Sequence, residues 1–583
     1  MRKIIFLLAS VVPLVAQQNI DDPLLKAMAD EIKRSADLRL PGSNPYPPYY
    51  VEYGAEKTVS LHIGASLGGL ITANKSKYVN PRVQVRIGNY KLDNTNFVNT
   101  GMSTGANYDA GQWAFDADYG LMRQQFWLAT DRAYKSAVEA LSRKMAALKD
   151  VTQSEPLNDF AEAKPVVKIL AESKYGVSDE IWKKRVVEYS KIFLGYPQLL
   201  SSGVEFDSIQ DTSYFANSEG SSYRVPESVA HLRARAVGYT PDGSYVWDSV
   251  SFPAETSDGL PAESEIQRML AEVAQNTTAL QKAPLGTAYT GPVLFEPQAA
   301  GQLMIQLFAN ELRLSRNPVA PQGRPVNTPQ SDWSTRLGGR VLPDIFTVRD
   351  IPNRFFPNGK GYLGNFDIDL EGVEPKPLTI IEKGSLKSFL YTRLPVRGHE
   401  GSNGRARFPG DYGSKATFLS NVEVSASESQ PMAELKKQLI DMMKKRSKDF
   451  GLIVRKLDYP SAAPGEELQK MVGAARAAGA NSLLSLPALV YKVYPDGREE
   501  LVRGLRFRGV TGRSMRDVIA ASKETALFSY FGTNTALTLL ASNGFVNGVT
   551  IEAPGLLFDE LELEQPQTDK PRLPVVPPPS FEN

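Results

Sequence analysis

Cysteine is missing from all 583 residues. That excludes disulfides, a thiolate metal ligand, a cysteine nucleophile and lipid attachment at cysteine, and it leaves stability to core burial. Histidine is scarce. His62, His231 and His399 are the whole complement, and no two have the close spacing with which a helix presents imidazoles to a metal. Charge of one sign is lacking as well: 66 Lys and Arg stand against 65 Asp and Glu, a formal +1, which argues against a nucleic-acid partner held through phosphates. Beyond residue 16 no apolar run approaches the roughly 20 residues that cross a bilayer. No G-x-S-x-G elbow occurs. The glycine-rich GASLGG at 64–69 is not followed by helical spacing, so it is not a phosphate cradle.

What is present reads as an ordinary globular composition, 42% hydrophobic and 22% charged, over a length that implies two to four domains. The N-terminus, MRKIIFLLASVVPLVAQQ, places Arg2 and Lys3 before an apolar run to Ala16. Residues 1–16 are read as a secretory signal peptide, its run too short for a membrane anchor, and the mature protein is expected to be periplasmic or secreted. Residues 21–38 read as a helix capped by Asp21 or Asp22 with Pro23 in its first turn. From Tyr49 to Phe97 the period is two, clearest where Val83, Val85 and Ile87 alternate with Arg82, Gln84 and Arg86. Helical spacing returns over 120–150, with Tyr134, Ala137, Val138, Leu141, Met145 and Leu148 on one stripe, and over 178–194 and 261–282. Strands are expected between 200 and 252, with a hairpin turn at Asp242-Gly243; His231 is placed on a polar face with Arg233 and Arg235.

The second half contains a helix over Gln298–Arg313, a loop-rich β region over 335–425, and an amphipathic helix over 432–447 ended near Gly451. A hairpin follows at 488–507, turning at Asp496-Gly497, then a short helix, SMRDVIAASK, at 514–523. The expected architecture is α+β. An N-terminal domain of antiparallel strands and helices spans 20–283, a β-rich C-terminal domain spans 284–564, and a proline-rich tail covers 565–583.

Two stretches have the residue types for chemistry. The loop RLPVRGHEGSNGRARFPGDYG (393–413) is dense in Gly, Arg, Asn and Asp and holds His399, Glu400 and Asp411. Its HEGSNG begins like a zincin motif and lacks the second histidine, so it reads as a turn-rich surface loop or a ligand-contacting one. In GPVLFEPQAAGQL (291–303), Glu296 stands where a strand gives way to a helix beginning at Pro297. Such an acid is either part of an active site or a structural residue beside the helix dipole and the free N–H groups of the first turn.

GPVLFEPQAAGQLMIQLFANEL, RVLPDIFTVRDIPN (340–353) and FDIDLEGVEPKPLTIIEKGSLKSFLYTR (366–393) resemble the C-terminal half of the TldD/PmbA (TldD/TldE) proteins, which are zinc peptidases and their paired subunits. FANSEGSSY (215–223), SNGRAR (402–407) and GREELVRGLRFRGVTGRSMRDVIAAS (497–522) resemble further segments of that family, so the likeness covers most of the chain; 432–485 fits it less well. Catalytic members of the family have an H-E-x-x-x-H helix whose imidazoles bind zinc and whose glutamate is the general base, with a cysteine ligand further on. Here Phe295 stands at the first histidine, Glu296 at the glutamate and Ala300 at the second histidine, and no cysteine exists. The resemblance therefore implies the non-catalytic TldE-like type, a pseudoenzyme with no metal of its own and zinc only in a TldD-type partner. It implies a heterodimer with that partner, or a homodimer, acting on unfolded or small peptides, with Ser402, Asn403, Gly404 and Arg405 as peptide-binding residues. A stand-alone exported scaffold that binds a peptide or polymer is the alternative.

Overall fold

The structure, a computed structural model, describes residues 22–39, 46–98, 111–150, 157–172, 174, 176–314, 316–323, 326, 328, 330–357, 359–463, 469, 470, 473, 484–532 and 546–565. Residues 1–16, read above as a signal peptide, and nearly all of the proline-rich tail lie outside the described residues. Among those described, no helix is long and apolar enough to cross a membrane.

The N-terminal half is built on one six-stranded sheet. Its strands are β1 (Pro48–Ser66), β2 (Gly69–Ile87), β3 (Val167–Ile169), β4 (Ser201–Asn217), β5 (Ser222–Tyr239) and β6 (Tyr245–Ala254). The order is β2-β1-β4-β5-β3, and β6 pairs with the other stretch of β5. The long β1–β2 hairpin turns at Leu67 (φ 50°) and Gly68 (φ 80°), the two left-handed residues that match the twist of paired strands. All four helices of this half pack on one face: α1 (Pro23–Ser35), α2 (Tyr119–Asp150), α3 (Asp179–Ser190) and α4 (Glu263–Lys282). Asp22 caps α1 as its position implies, accepting from the N–H groups of Leu24 (2.9 Å) and Leu25 (3.1 Å).

Alternation along the strands sends odd-numbered residues of β1 (Tyr53, Leu61, Ile63) and even-numbered residues of β4 (Val204, Phe206, Tyr214) into the helical layer. The opposite face is polar, and it meets the C-terminal half. His231 does share that face with Arg233 and Arg235, but His231 itself is covered rather than wet. His231 is buried and its ring packs edge-on against Phe531 of the C-terminal half, 5.4 Å between centroids. On α2 the buried stripe passes through Phe126, Ala133, Ala137 and Leu141 to Lys144, while Met145 is exposed. Lys144 is drawn in because its ammonium donates to Asp159 (2.5 Å) and to the Thr95 carbonyl (2.6 Å).

The C-terminal half contains an eleven-stranded sheet of β7 (Tyr289–Phe295), β8 (Phe346–Asp350), β9 (Leu378–Glu382), β10 (Ser385–Leu386), β13 (Asn421–Ala426), β14 (Gly451–Leu457), β15 (Pro487–Val493), β16 (Glu499–Val502), β17 (Arg506–Arg508), β18 (Val518–Gly532) and β19 (Asn547–Glu564). A separate two-stranded ribbon joins β11 (Ala406–Pro409) to β12 (Lys415–Thr417). Helix α5 (Pro297–Glu311) fills one side of the large sheet, against Val293 and Phe295, and α6 (Met432–Lys445) the other, against Leu294. Two expectations are corrected here. SMRDVIAASK is not a helix: a single 3-10 turn spans Gly512–Asp517, and β18 begins at Val518 because pairing with β19 overrides the local preference. Helix α6 ends at Lys445 with Arg446 as its C-cap, and Ser447 takes the left-handed position (φ 52°) that Gly451 was expected to supply. Gly451 opens β14 instead.

Candidate functional site

Glu296 is the N-cap position of α5, between the last residue of β7 and Pro297 in the first turn. Its backbone is committed on both sides: its N–H donates to the Val454 carbonyl (3.0 Å) and its carbonyl accepts from Ala300 (2.8 Å). Its carboxylate makes no cap hydrogen bond. It turns away to accept from Arg455 Nε (2.9 Å), whose Nη2 bonds Glu499 (2.6 Å), which in turn accepts from Lys436 (2.6 Å). The Arg455 guanidinium lies 4.2 Å from the Tyr491 ring centroid. Glu296 is thus one end of a half-exposed chain of ion pairs and not a cap through its side chain.

Phe295 and Ala300 are fully buried in the main core of the C-terminal half. Phe295 packs against Phe558 and Phe507 at 5.3 and 6.0 Å between centroids. These residues do not fit a zinc ion. Neither side chain has a donor, and the single carboxylate between them is spent on a guanidinium. Among the described residues, no three His, Asp or Glu side chains come together as metal ligands would.

The loop around SNGRAR is held from within. Asn403 accepts from the Tyr391 N–H (2.9 Å) and donates to the Phe389 carbonyl (2.9 Å). Ser402 Oγ accepts from the Gly404 N–H (3.1 Å). Gly404 sits at φ 73°, where a Cβ would lie 2.8 Å from Pro375 Cα. The Arg405 guanidinium is fully buried on Asp350 (2.7 Å) and also donates to the Lys376 carbonyl (2.7 Å). His399 stacks on Tyr391, 4.1 Å between centroids.

What the fold brings together lies on the polar inner face of the N-terminal sheet. Cross-strand register sets Thr58, Asp211 and Glu227 in one row and His62, Asp207 and His231 in another, with Glu56 beside Ser213. At one end this face is closed by the C-terminal half: Phe215, Tyr223 and Val225 pack on Ile368, Lys415 pairs with Glu52 (2.9 Å), and Gln84 donates to the Gly413 carbonyl (2.7 Å). Farther along it opens. Asp211, Ser60 and His62 are partly accessible and Glu227 is exposed. Glu56 is paired with Arg82 at 2.5 Å. Desolvation, and then the Glu56 charge, push the Asp211 carboxyl above its ordinary range. His231 goes the other way: burial, then Arg233, hold its pKa down at about 3, so it stays neutral. His62 Nδ1 donates to Asp207 at 2.7 Å, and that bond raises the imidazole pKa.

The contact between halves centres on Arg393. Its guanidinium grips Glu219 through two bonds (2.7 and 2.6 Å) and donates through Nε to the Ala161 carbonyl (2.8 Å). Its own N–H is accepted by Glu371 (2.6 Å). Two residues back, Asp369 accepts from the N–H groups of Glu371, Val373 and Ala406. Burial pushes Asp369 up to about 6; burial and then the Asp369 charge push Glu371 up to about 7. Both folded-state values exceed the unfolded ones, so the stability they contribute is full at low pH and is lost as pH rises through about 6–7. Glu371→Gln removes one ionisation. Relative to the parent it should gain about 2 kcal/mol between pH 5.5 and 8.5, read from urea midpoints at the two pH values. A difference that does not change with pH would contradict this assignment.

None of these interface residues stood out in the sequence. The period-two pattern of β4 and β5 was legible, but which polar residues face one another depends on register, and register appears only once the strands pair.

A helical layer, a sheet with a polar inner face, and a second half with Glu296 at a strand-to-helix junction define a two-part α+β architecture. Residues 288–462 match the PmbA/TldA metallopeptidase C-terminal domain. Through this segment the chain is similar to the TldD/PmbA family. Among solved structures it is similar to TldE from Thermococcus kodakarensis (TM-score 0.55, 12% identity, 92% of this chain and 100% of that one). It is also similar to two proteins described as modulators of DNA gyrase. The one from Thermotoga maritima has a TM-score of 0.53 at 15% identity over 88% of this chain and 96% of that one. The one from Bacteroides thetaiotaomicron has a TM-score of 0.55 at 10% identity over 94% and 99%. Among curated proteins no sequence matches.

Proposed function

We propose that this chain is the TldE-like subunit of an exported peptidase assembly, one that binds no zinc itself and helps enclose unfolded or small peptides for a TldD-type partner. The observation that carries the reading is the state of the family's metal helix. Positions 295 and 300 hold core-buried Phe and Ala, and Glu296 is neutralised by Arg455. Hydroxide forms at neutral pH only on a metal that lowers the pKa of its water, and these side chains offer that metal no seat. The polar recess between the halves supports a role in holding peptide. The apolar N-terminal run supports export.

The test is co-expression with a TldD-type protein whose H-E-x-x-x-H is intact. The isolated chain should contain sub-stoichiometric zinc by elemental analysis and hydrolyse no peptide. The two chains should co-purify at equal stoichiometry with peptidase activity, and Glu296→Gln in this chain should leave that activity unchanged. Stoichiometric zinc in the isolated chain, lost on Glu296→Ala, would overturn the reading. A monomer that binds peptide and ignores the partner would favour a stand-alone scaffold.

A further inference from the structure

Five arginines among the described residues are buried: Arg82, Arg86, Arg393, Arg405 and Arg407. Four of them hold a carboxylate at 2.8 Å or closer: Arg82 on Glu56, Arg86 on Asp93, Arg393 on Glu219 and Arg405 on Asp350. Arg407 holds none. Its side chain makes no ion pair or hydrogen bond to any described residue, and its Nε is buried without a partner. Only the Phe366 ring supports it, with the guanidinium carbon 3.8 Å from the centroid. A buried guanidinium left in this state is costly, and folded proteins rarely keep one without a use.

Its placement is specific. Ala406 pairs with Thr417 and Phe408 with Ala416, so Arg407 is the extra residue of a β-bulge. Bulges re-aim side chains and recur beside functional sites. The next residue, Phe408, goes into the core of the C-terminal half. Arg407 instead looks across the interface, where Glu227 on the sheet's inner face is its strongest electrostatic neighbour, followed by Asp369. The Arg407 main chain is fixed independently, since Asn547 donates to its carbonyl (2.8 Å).

We infer that Arg407 is an anion-recognition residue in the recess between the halves, and that its ligand is the C-terminal carboxylate of a bound peptide. This rests on the peptide-holding role proposed above and adds to it the end of the chain that is recognised. One planar guanidinium backed by an aromatic ring suits a planar monoanion taken through two parallel hydrogen bonds. Glu227 and Asp369 nearby make the recess hostile to a phosphate, whose second charge nothing there would balance. Ser60 and Asp211 along the open rows offer polar contacts to an extended backbone.

The test uses the full-length chain and fluorescence anisotropy with one labelled, alanine-rich pentapeptide, prepared as free acid and as C-terminal amide. The acid should bind at least about tenfold tighter than the amide, the worth of a charge-assisted pair. Arg407→Gln should bring the ratio close to one, and Arg407→Lys should retain part of it. Arg407→Gln should also melt at or above the parent temperature, because it removes a buried guanidinium that makes no ion pair or hydrogen bond among the described residues. Equal binding of acid and amide by the parent chain would overturn the inference and leave the peptide-holding role standing. Binding of neither form would overturn both. A preference that survives Arg407→Gln, or a melting temperature that falls by many degrees, would show that another group reads the carboxylate or that Arg407 is a structural strut.

Discussion

Arg393→Met is expected to cost about 3–5 kcal/mol of folding free energy, the usual penalty for removing one partner of a buried ion pair. The Arg393 side chain is 0% exposed and ties the C-terminal half to Glu219 and the Ala161 carbonyl of the N-terminal half. Without it the Glu219 carboxylate keeps only the Tyr90 hydroxyl (2.7 Å) and a long contact to Asn217, and Glu371 and Asp369 lose the charge that moderates their burial. Packing is lost as well. The guanidinium lies 3.9 Å from the Phe160 ring centroid, and Arg86 stacks on the same ring at 3.7 Å. The change should also separate the two halves in denaturant, giving two transitions where the parent gives one, since contacts across the interface hold them to a common transition. Urea unfolding followed by tryptophan fluorescence reads both effects. Adding Glu219→Met should recover a large part of the loss, because a matched apolar pair no longer strands a charge. A single variant within about 1 kcal/mol of the parent would mean that this clamp does not hold the halves together.

Phe295→His combined with Ala300→His should fail to create a zinc site and should cost several kcal/mol. The ring of Phe295 is fully buried against Phe558 and Phe507, and trimming a buried Phe costs roughly 3–5 kcal/mol when the site cannot collapse. An imidazole there adds polar nitrogens with no partner. Ala300 is also fully buried, and a larger side chain overpacks its surroundings for about 1–3 kcal/mol more. Nothing offsets these losses. Glu296 stays bound to Arg455 at 2.9 Å, no sulfur donor exists, and two imidazoles leave a tetrahedral ion short of ligands. Elemental analysis after dialysis against zinc, together with urea unfolding, gives the result. Stoichiometric zinc held by the double variant would show that two side chains suffice to build a metal site at this junction.

The two outcomes concern different parts of the molecule, and the sequence spoke to them unequally. Local patterns were enough for the elements: Asp22 and Pro23 begin α1, Asp242-Gly243 and Asp496-Gly497 mark hairpins, and alternation marks β2 through Val83, Val85 and Ile87. That Phe295 and Ala300 offer no metal donor was equally plain, because a donor is a matter of residue type and needs no coordinates. The strand that replaces a helix at Val518 was not legible, since its state depends on β19, about thirty residues farther on.

Burial of polar groups was beyond local reading altogether. Arg405 and Arg407 are two residues apart with the same side chain, and nothing in SNGRAR separates them. Asp350 closes over the first, and a bulge opposite Thr417 and Ala416 turns the second toward Glu227 without an ion pair. Composition and period state which side chains exist and which face of an element they share. Whether a charge finds its opposite is settled by segments distant in the chain, because Coulomb energy and desolvation depend on separation in space and not along the backbone.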